Sequence, residues 1–309
     1  MQTKIALALA LAASSGVGST FGQDRPTFKS SVELVPISAV VRDSRNRLVN
    51  NLTVDDFQVL DNGARCRIVD FHRDQTSPLT VAILVDVSGS MRIGPKMLFA
   101  REVLNQMTFE LADGRDEAGL FTFDATLHEQ EPFTVHPSVM GSGFDRVEPF
   151  GTTSLYDAIA ETARLLARRS PQRRALIVFT DGVDTSSTFT PAEVSALASS
   201  IDVPVYIVVT VPPIDAAQRA NHPAEPLPRQ ADLRDLAQWT GGDLMFATSP
   251  EEAGLKAHQI VVELRHQYLL AVEASERSEW RRLDVRVRDR RLSVRARSGY
   301  FGRDLGPSK

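Results

Sequence analysis

Thr80-Val81-Ala82-Ile83-Leu84-Val85 is a strongly β-forming, almost wholly apolar run that leads straight into Asp86-Val87-Ser88-Gly89-Ser90-Met91. An apolar run without polar alternation suits a strand covered on both faces, the situation that crossover helices create in a parallel sheet. Similar runs recur at Ala118–Phe123, Ala175–Phe179 and Val203–Val209, with a weaker one at Leu244–Phe246. Between them the spacing predicts helices near Lys96–Leu111, Leu155–Arg168, Pro191–Ser200, Leu233–Trp239 and Glu251–Leu264. Strands alternating with helices over about Thr80–Leu264 predict an α/β fold, a doubly wound, Rossmann-like domain with a mostly parallel sheet.

On either side the periodicity changes to that of short strands. Before the domain these are Val32–Val35, Ile37–Val41, Phe57–Leu60 and Ile68–Phe71, punctuated by Asp43-Ser44-Arg45-Asn46 and by Asp61-Asn62-Gly63, where Asn-Gly tolerates positive φ. After it come Gln267–Val272, Arg282–Val287 and Leu292–Ala296. Each flank is shorter than the roughly 70–80 residues at which a single core becomes self-sufficient. Together they predict a split β-sandwich with the α/β domain inserted between its two parts. The expected organisation is residues 1–22 as a signal peptide, 23–77 as an N-terminal β-rich segment, 78–264 as the α/β domain and 265–309 as a C-terminal β-rich extension.

Lys4, the apolar Ile5–Ala13 and the small-residue stretch Ser14–Gly22 form the pattern of a secretory leader, too short for a membrane span. The expectation is export to a periplasmic or extracellular location, without a membrane span. The 309 residues carry 35 Lys and Arg against 39 Asp and Glu, a net charge of −4 that argues against nucleic acid as the partner. Cys66 is the single cysteine, which excludes an intramolecular disulfide and a thiolate metal cluster.

The candidate chemistry gathers at strand ends. Asp86, Ser88 and Ser90 alternate at the end of the first parallel strand, and Gly89 lets the backbone turn among them. Thr180-Asp181-Gly182 ends a second strand with another carboxylate, and Gly151-Thr152-Thr153-Ser154 brings hydroxyls from a loop before a helix. Five hard oxygen donors on three loops suit a hard divalent cation.

Asp86-Val87-Ser88-Gly89-Ser90, Thr153 within Gly-Thr-Thr-Ser-Leu-Tyr-Asp-Ala, and Thr180-Asp181-Gly182 resemble the metal-ion-dependent adhesion site of von Willebrand factor type A domains. The flanking Asp55–Gly63 and Arg295–Tyr300 resemble an exported bacterial group that carries this domain. The resemblance implies that Ser88, Ser90 and Thr153 hold a metal through their hydroxyls, while Asp86 and Asp181 act directly or through water. It also implies Mg2+, or Mn2+ or Ca2+, as the ion, and a protein partner that offers an Asp or Glu carboxylate. Thr152 stands where the family often has a second glycine, which makes it a fallback ligand.

An idle metal site in a structural envelope protein is the alternative, and a metal-dependent phosphoryl-transfer or hydrolase enzyme using Asp86 is a further one. The enzyme reading lacks the second acid at the i+2 position, where Ser88 stands. The six histidines show no metal-binding spacing and are expected at the surface or in packing. No Gly-x-Ser-x-Gly elbow is present, and Gly141-Ser142-Gly143 reads as a flexible connection. Arginines crowd Arg277–Arg303, and the expectation there is the solvated face of an edge hairpin, with contact to an anionic surface as the functional alternative. Pro212–Pro228 reads as an exposed proline-rich excursion.

Overall fold

The computed structural model describes residues 34–73, 75–169, 173–211, 228–273 and 279–301, with the backbone alone for 228–231 and 301. The leader, most of the proline-rich stretch and both ends of the arginine-rich stretch lie outside the described residues. Five strands build the parallel core: β5 (Thr80–Asp86), β6 (Glu117–Phe123), β8 (Arg174–Thr180), β9 (Val205–Thr210) and β10 (Leu244–Ala247). A further strand, β7 (Leu127–Thr134), pairs antiparallel with β6, so the order across the sheet is β10-β9-β8-β5-β6-β7. Helices α1 (Lys96–Glu110), α2 (Leu155–Ala167), α3 (Pro191–Ser200), α4 (Pro228–Thr240) and α5 (Pro250–Arg265) cover it.

The lack of alternation in these strands has its expected cause. Val81, Ile83 and Val85 bury their side chains in one cluster with Phe99, Val103 and Met107 of α1 and Ile260 and Leu264 of α5. Ala82 and Leu84 bury theirs in a second cluster with Ile159 and Leu166 of α2, Val194 of α3 and Leu236 of α4. Both faces of every central strand therefore leave water. At the helix starts, Thr190 accepts a hydrogen bond from the Glu193 amide while the Glu193 carboxylate accepts from the Thr190 amide, a reciprocal cap ahead of Pro191.

The chain ends meet in two antiparallel sheets, built from β1 (Leu34–Arg42), β2 (Phe57–Asp61), β3 (Ala64–Cys66), β4 (Ile68–His72), β11 (Tyr268–Glu273), β12 (Trp280–Val287), β13 (Ser293–Ala296) and β14 (Gly299–Phe301). One sheet has the order β13-β1-β11-β4 and the other β14-β12-β2-β3, so each mixes strands from both ends of the chain. Val35, Ile37, Phe57, Val59, Tyr268, Leu270, Leu283 and Tyr300 share one buried cluster between them. Tyr268 lies within 5.0 Å of Phe57 and 5.9 Å of Phe71, ring centre to ring centre. This is the split sandwich expected from the periodicity.

Several local readings are corrected. The two N-terminal strands expected at 32–35 and 37–41 are one strand, β1, that runs through Pro36. The edge strand β7 and the short β3 and β14 escaped the periodicity: β7 is mostly solvent-facing, and three-residue strands are too short to show a period. The turn joining β2 to β3 does use Asn62 and Gly63 at φ 48° and 84°. The arginine-rich stretch is not simply a solvated face. Arg295 pairs with Glu263 and Asp243, and Arg297 is 4% exposed and donates to the Ser199 and Pro36 carbonyls, because the strand end turns inward against α3 and α5. Arg286 and Arg291 do remain outside, each paired with an acid on its own hairpin, Asp284 and Asp289.

Candidate metal centre

Strands β5 and β8 are parallel neighbours in register, Val85 opposite Phe179. From β5 the chain crosses through α1 to β6 on one side, and later returns through α2 to β8 on the other. The loops that leave the carboxyl ends of β5 and β8 thus diverge at the point where strand order reverses, the place where open α/β sheets bind ligands. Asp86 and Asp181 sit at those two ends.

Asp86 is fully buried. Its Oδ2 accepts a hydrogen bond from the Thr180 hydroxyl at 2.6 Å and its Oδ1 accepts from the Ser88 amide at 2.9 Å. Burial pushes its carboxyl up to about 6, the Asp181 charge adds to the rise, and the Thr180 and Ser88 hydrogen bonds pull the other way. Burial disfavours the charged form of this carboxylate, and a cation beside it would favour that form.

Gly89 explains how the third loop arrives. Its amide donates to the Gly151 carbonyl at 3.0 Å, and a Cβ at Gly89 would stand 3.2 Å from that same oxygen. Gly151 itself holds φ 82°, a conformation that side chains disfavour. Two glycines therefore let the Ser88–Ser90 turn and the Thr153 loop touch through their backbones. Ser88 and Ser90 bring their hydroxyls within 3.1 Å of one another. Thr153 is 3% exposed, and among the described residues its hydroxyl has no hydrogen-bond partner. Thr152 differs: it is exposed and its hydroxyl accepts from Ser186 at 3.1 Å.

The Thr153 loop is locked from behind by residues that the sequence reading left without a role. The Thr153 carbonyl accepts from the amides of Thr185 and Ser186, and its amide donates to the Thr185 hydroxyl at 2.9 Å. Asp184 accepts from the Leu155 amide, and the Asp157 carboxylate accepts from the Thr188 and Phe189 amides. The unbroken polar stretch Asp184–Thr188, one residue beyond Thr180-Asp181-Gly182, was the available signal.

Asp181 is the second residue with an unforeseen partner. Lys96, the first residue of α1, places its ammonium 2.7 Å from Asp181 Oδ2 and 3.1 Å from the Ser90 carbonyl. The donor set is entirely oxygen, two carboxylates and three hydroxyls, and a cation already rests against part of it. Both facts fit a hard divalent ion. No group of three or more His, Cys, Asp or Glu side chains with metal-holding geometry occurs among the described residues, so a ligand set of this kind depends on hydroxyls.

Residues 81–183 match the family model of the von Willebrand factor type A domain. That stretch of the chain is a von Willebrand factor type A domain. A solved von Willebrand factor type A protein from Catenulispora acidiphila is similar over 88% of this chain and 75% of its own, at 12% identity and a TM-score of 0.50. At that identity the likeness speaks to the fold alone. The conserved hypothetical protein BatB from Bacteroides thetaiotaomicron is similar over 60% of this chain and 98% of its own, at 17% identity and a TM-score of 0.48. Proximal thread matrix protein 1 from the mussel byssus, solved with zinc occupying its MIDAS motif, is similar over 66% of this chain and 49% of its own, at 16% identity and a TM-score of 0.47. No curated protein matches the sequence.

His258 meets Glu110 of α1 at 2.6 Å, and His266 bonds the Val262 carbonyl one turn back. No helix among the described residues is long and apolar enough to cross a membrane.

Proposed function

We propose that the von Willebrand factor type A domain holds a divalent cation, Mg2+ or a similar ion, between Asp86, Ser88, Ser90, Thr153 and Asp181, and uses it to bind an acidic side chain of a protein partner. The protein then works as an exported, non-enzymatic binding module in the periplasm or outside the cell, the location that the leader-like Met1–Gly22 supports.

The observation that carries this reading is the backbone contact from Gly89 to Gly151, which ties the turn bearing the paired hydroxyls of Ser88 and Ser90 to the loop of Thr153, a residue 3% exposed whose hydroxyl makes no hydrogen bond among the described residues. A hydroxyl that makes no bond within the protein keeps its oxygen free to ligate a cation. A cation held largely by neutral hydroxyls keeps positive charge and a coordination position that a carboxylate can fill. In this chain Asp86 balances part of that charge from below, Thr180 and the Ser88 amide keep its carboxylate oriented, and the Asp184–Phe189 segment keeps Thr153 in place.

The test is a thermal melt of the full chain with millimolar Mg2+, followed by chelation, in wild type and in the Ser88→Ala plus Ser90→Ala variant. The reading expects the ion to raise the melting temperature of wild type, the chelator to reverse it, and the double variant not to respond. A wild-type curve that Mg2+ leaves unmoved overturns it. Partner capture from an envelope extract, with and without chelator, then tests the acidic-ligand half: Asp181→Ala is expected to weaken capture while the domain stays folded.

A further inference from the structure

Lys96 belongs to none of the motifs, yet its ammonium bridges two of the loops that form the site. It lies 2.7 Å from one oxygen of Asp181 and 3.1 Å from the carbonyl of Ser90. The pair is largely withdrawn from water, with the two side chains 14% and 5% exposed. A lysine ammonium is a compact point charge with freely rotating donors on a flexible stem, the side chain closest in kind to a small bound cation. Asp86 and Asp181 end neighbouring parallel strands, close enough for the Asp181 charge to act on Asp86, and Lys96 supplies a counter-charge from the protein itself.

A divalent ion that uses Asp181 meets Lys96 in the same place. Like charges on one carboxylate face repel, so the ammonium must leave when the ion arrives. We propose that Lys96 is a tethered counter-ion that competes with the divalent cation for Asp181, so that the site alternates between a lysine-closed and a metal-loaded form. This rests on the reading of the site given above and adds its regulation. In the lysine-closed form the negative pair is neutralised without metal, which keeps the empty fold stable at the expense of metal affinity. On loading, the released ammonium stays anchored at the start of α1, beside the site, where it adds a second positive charge toward an acidic partner group.

The test uses the full chain, MgCl2 as the probe, and calorimetric titration together with thermal melts of wild type, Lys96→Met and Lys96→Gln. Without metal, both variants are expected to melt below wild type, because Asp181 then stands buried without its counter-charge. With saturating Mg2+ that gap is expected to close. The apparent dissociation constant for Mg2+ is expected to tighten by about tenfold or more, the factor removed when a competitor that fills a site nine-tenths of the time is taken away. A constant that is unchanged or weaker in both variants overturns the role of Lys96, and leaves the metal site standing if wild type itself responds. Absence of any Mg2+ response in all three proteins overturns both. Amine acetylation of wild type read by mass spectrometry needs no variant: Mg2+ is expected to increase modification at Lys96, and a decrease overturns the proposal.

Discussion

The two ends of the parallel sheet treat buried charge in opposite ways. At the carboxyl ends of β5 and β8 two carboxylates and several hydroxyls meet a single cation, the Lys96 ammonium. At the amino ends, where the antiparallel sheets dock, buried acids meet guanidinium groups. Glu263, fully buried, takes both Arg42 and Arg295. Asp116, just before β6, takes Arg265, and Arg297 reaches the carbonyl of Ser199 and the carboxylate of Asp202 in the segment before β9. One edge is a network of ion pairs that ties the sheet holding β1 and β13 to the α/β domain, and the other is a cluster of carboxylates and hydroxyls met by a single lysine. The difference teaches that buried acids at the sandwich edge are balanced by guanidinium groups from the flanking sheets, whereas those at the carboxyl ends of β5 and β8 have hydroxyls and one ammonium for company.

The comparison breaks most visibly at Glu263. Glu263→Ala leaves Arg42 and Arg295 facing the junction without their acid, and loss of one partner from a buried ionic cluster typically costs about 3–5 kcal/mol. Urea unfolding is expected to report that loss, while the Mg2+ response of the site, if the folded fraction is considered, is expected to persist. A stability near wild type would mean that the ion pairs do not hold the junction. At the other edge the expected effect is in binding. Saturation of wild type with Mg2+ at a hundred times its dissociation constant is expected to add about 2.7 kcal/mol, and Ser88→Ala plus Ser90→Ala to remove all of it. Without metal, that double variant is expected to unfold within about 1 kcal/mol of wild type.

Acid separates the edges less strongly. Burial by itself would raise the Asp116 carboxyl, but the Arg265 guanidinium and the amides of Ala112 and Leu79 outweigh it and hold the group below the ordinary value of 3.8. A depressed folded value means that the stabilisation is complete above the unfolded value and is lost as pH falls through the folded one. Wild type is therefore expected to lose stability below about pH 4 with a steeper slope than Asp116→Asn, as followed by denaturant titration at stepped pH. An equal slope would remove Asp116 from the junction's electrostatics. The smallest effect is expected on the outer hairpin, where Arg286 and Asp284 are 61% and 36% exposed. Arg286→Ala is expected to change stability by about 0.5 kcal/mol or less. A loss comparable to that of Glu263→Ala would contradict the division between junction and surface arginines.

How far the sequence can be read depends on how local the deciding contact is. The run Thr80–Val85 announces a doubly buried strand because every residue in it must be covered, whatever covers it. Asn62-Gly63 announces its turn because positive φ is a property of those residues. Edge strand β7 was not legible, since its mostly exposed residues carry no burial pattern. The arginines at 295 and 297 looked like their neighbours at 286 and 291, because alternation along a strand does not say which end of that strand is covered by a helix. At the site, the motif residues were visible, but the Asp184–Phe189 clamp and Lys96 were not. Their roles come from pairing across gaps of about 30 and 85 residues, as in Thr153 with Thr185 and Lys96 with Asp181.

By itself the sequence determined the class of the central sheet, the turn chemistry and the kind of atom gathered at the strand ends, because hydrophobic period and side-chain type act through neighbours along the chain. Only the tertiary structure decided that strands from both chain ends share two sheets, that arginines seal one edge, and that a lysine rests on Asp181. Those outcomes depend on which loops converge at the reversal of strand order, and convergence in space leaves no mark on spacing along the chain.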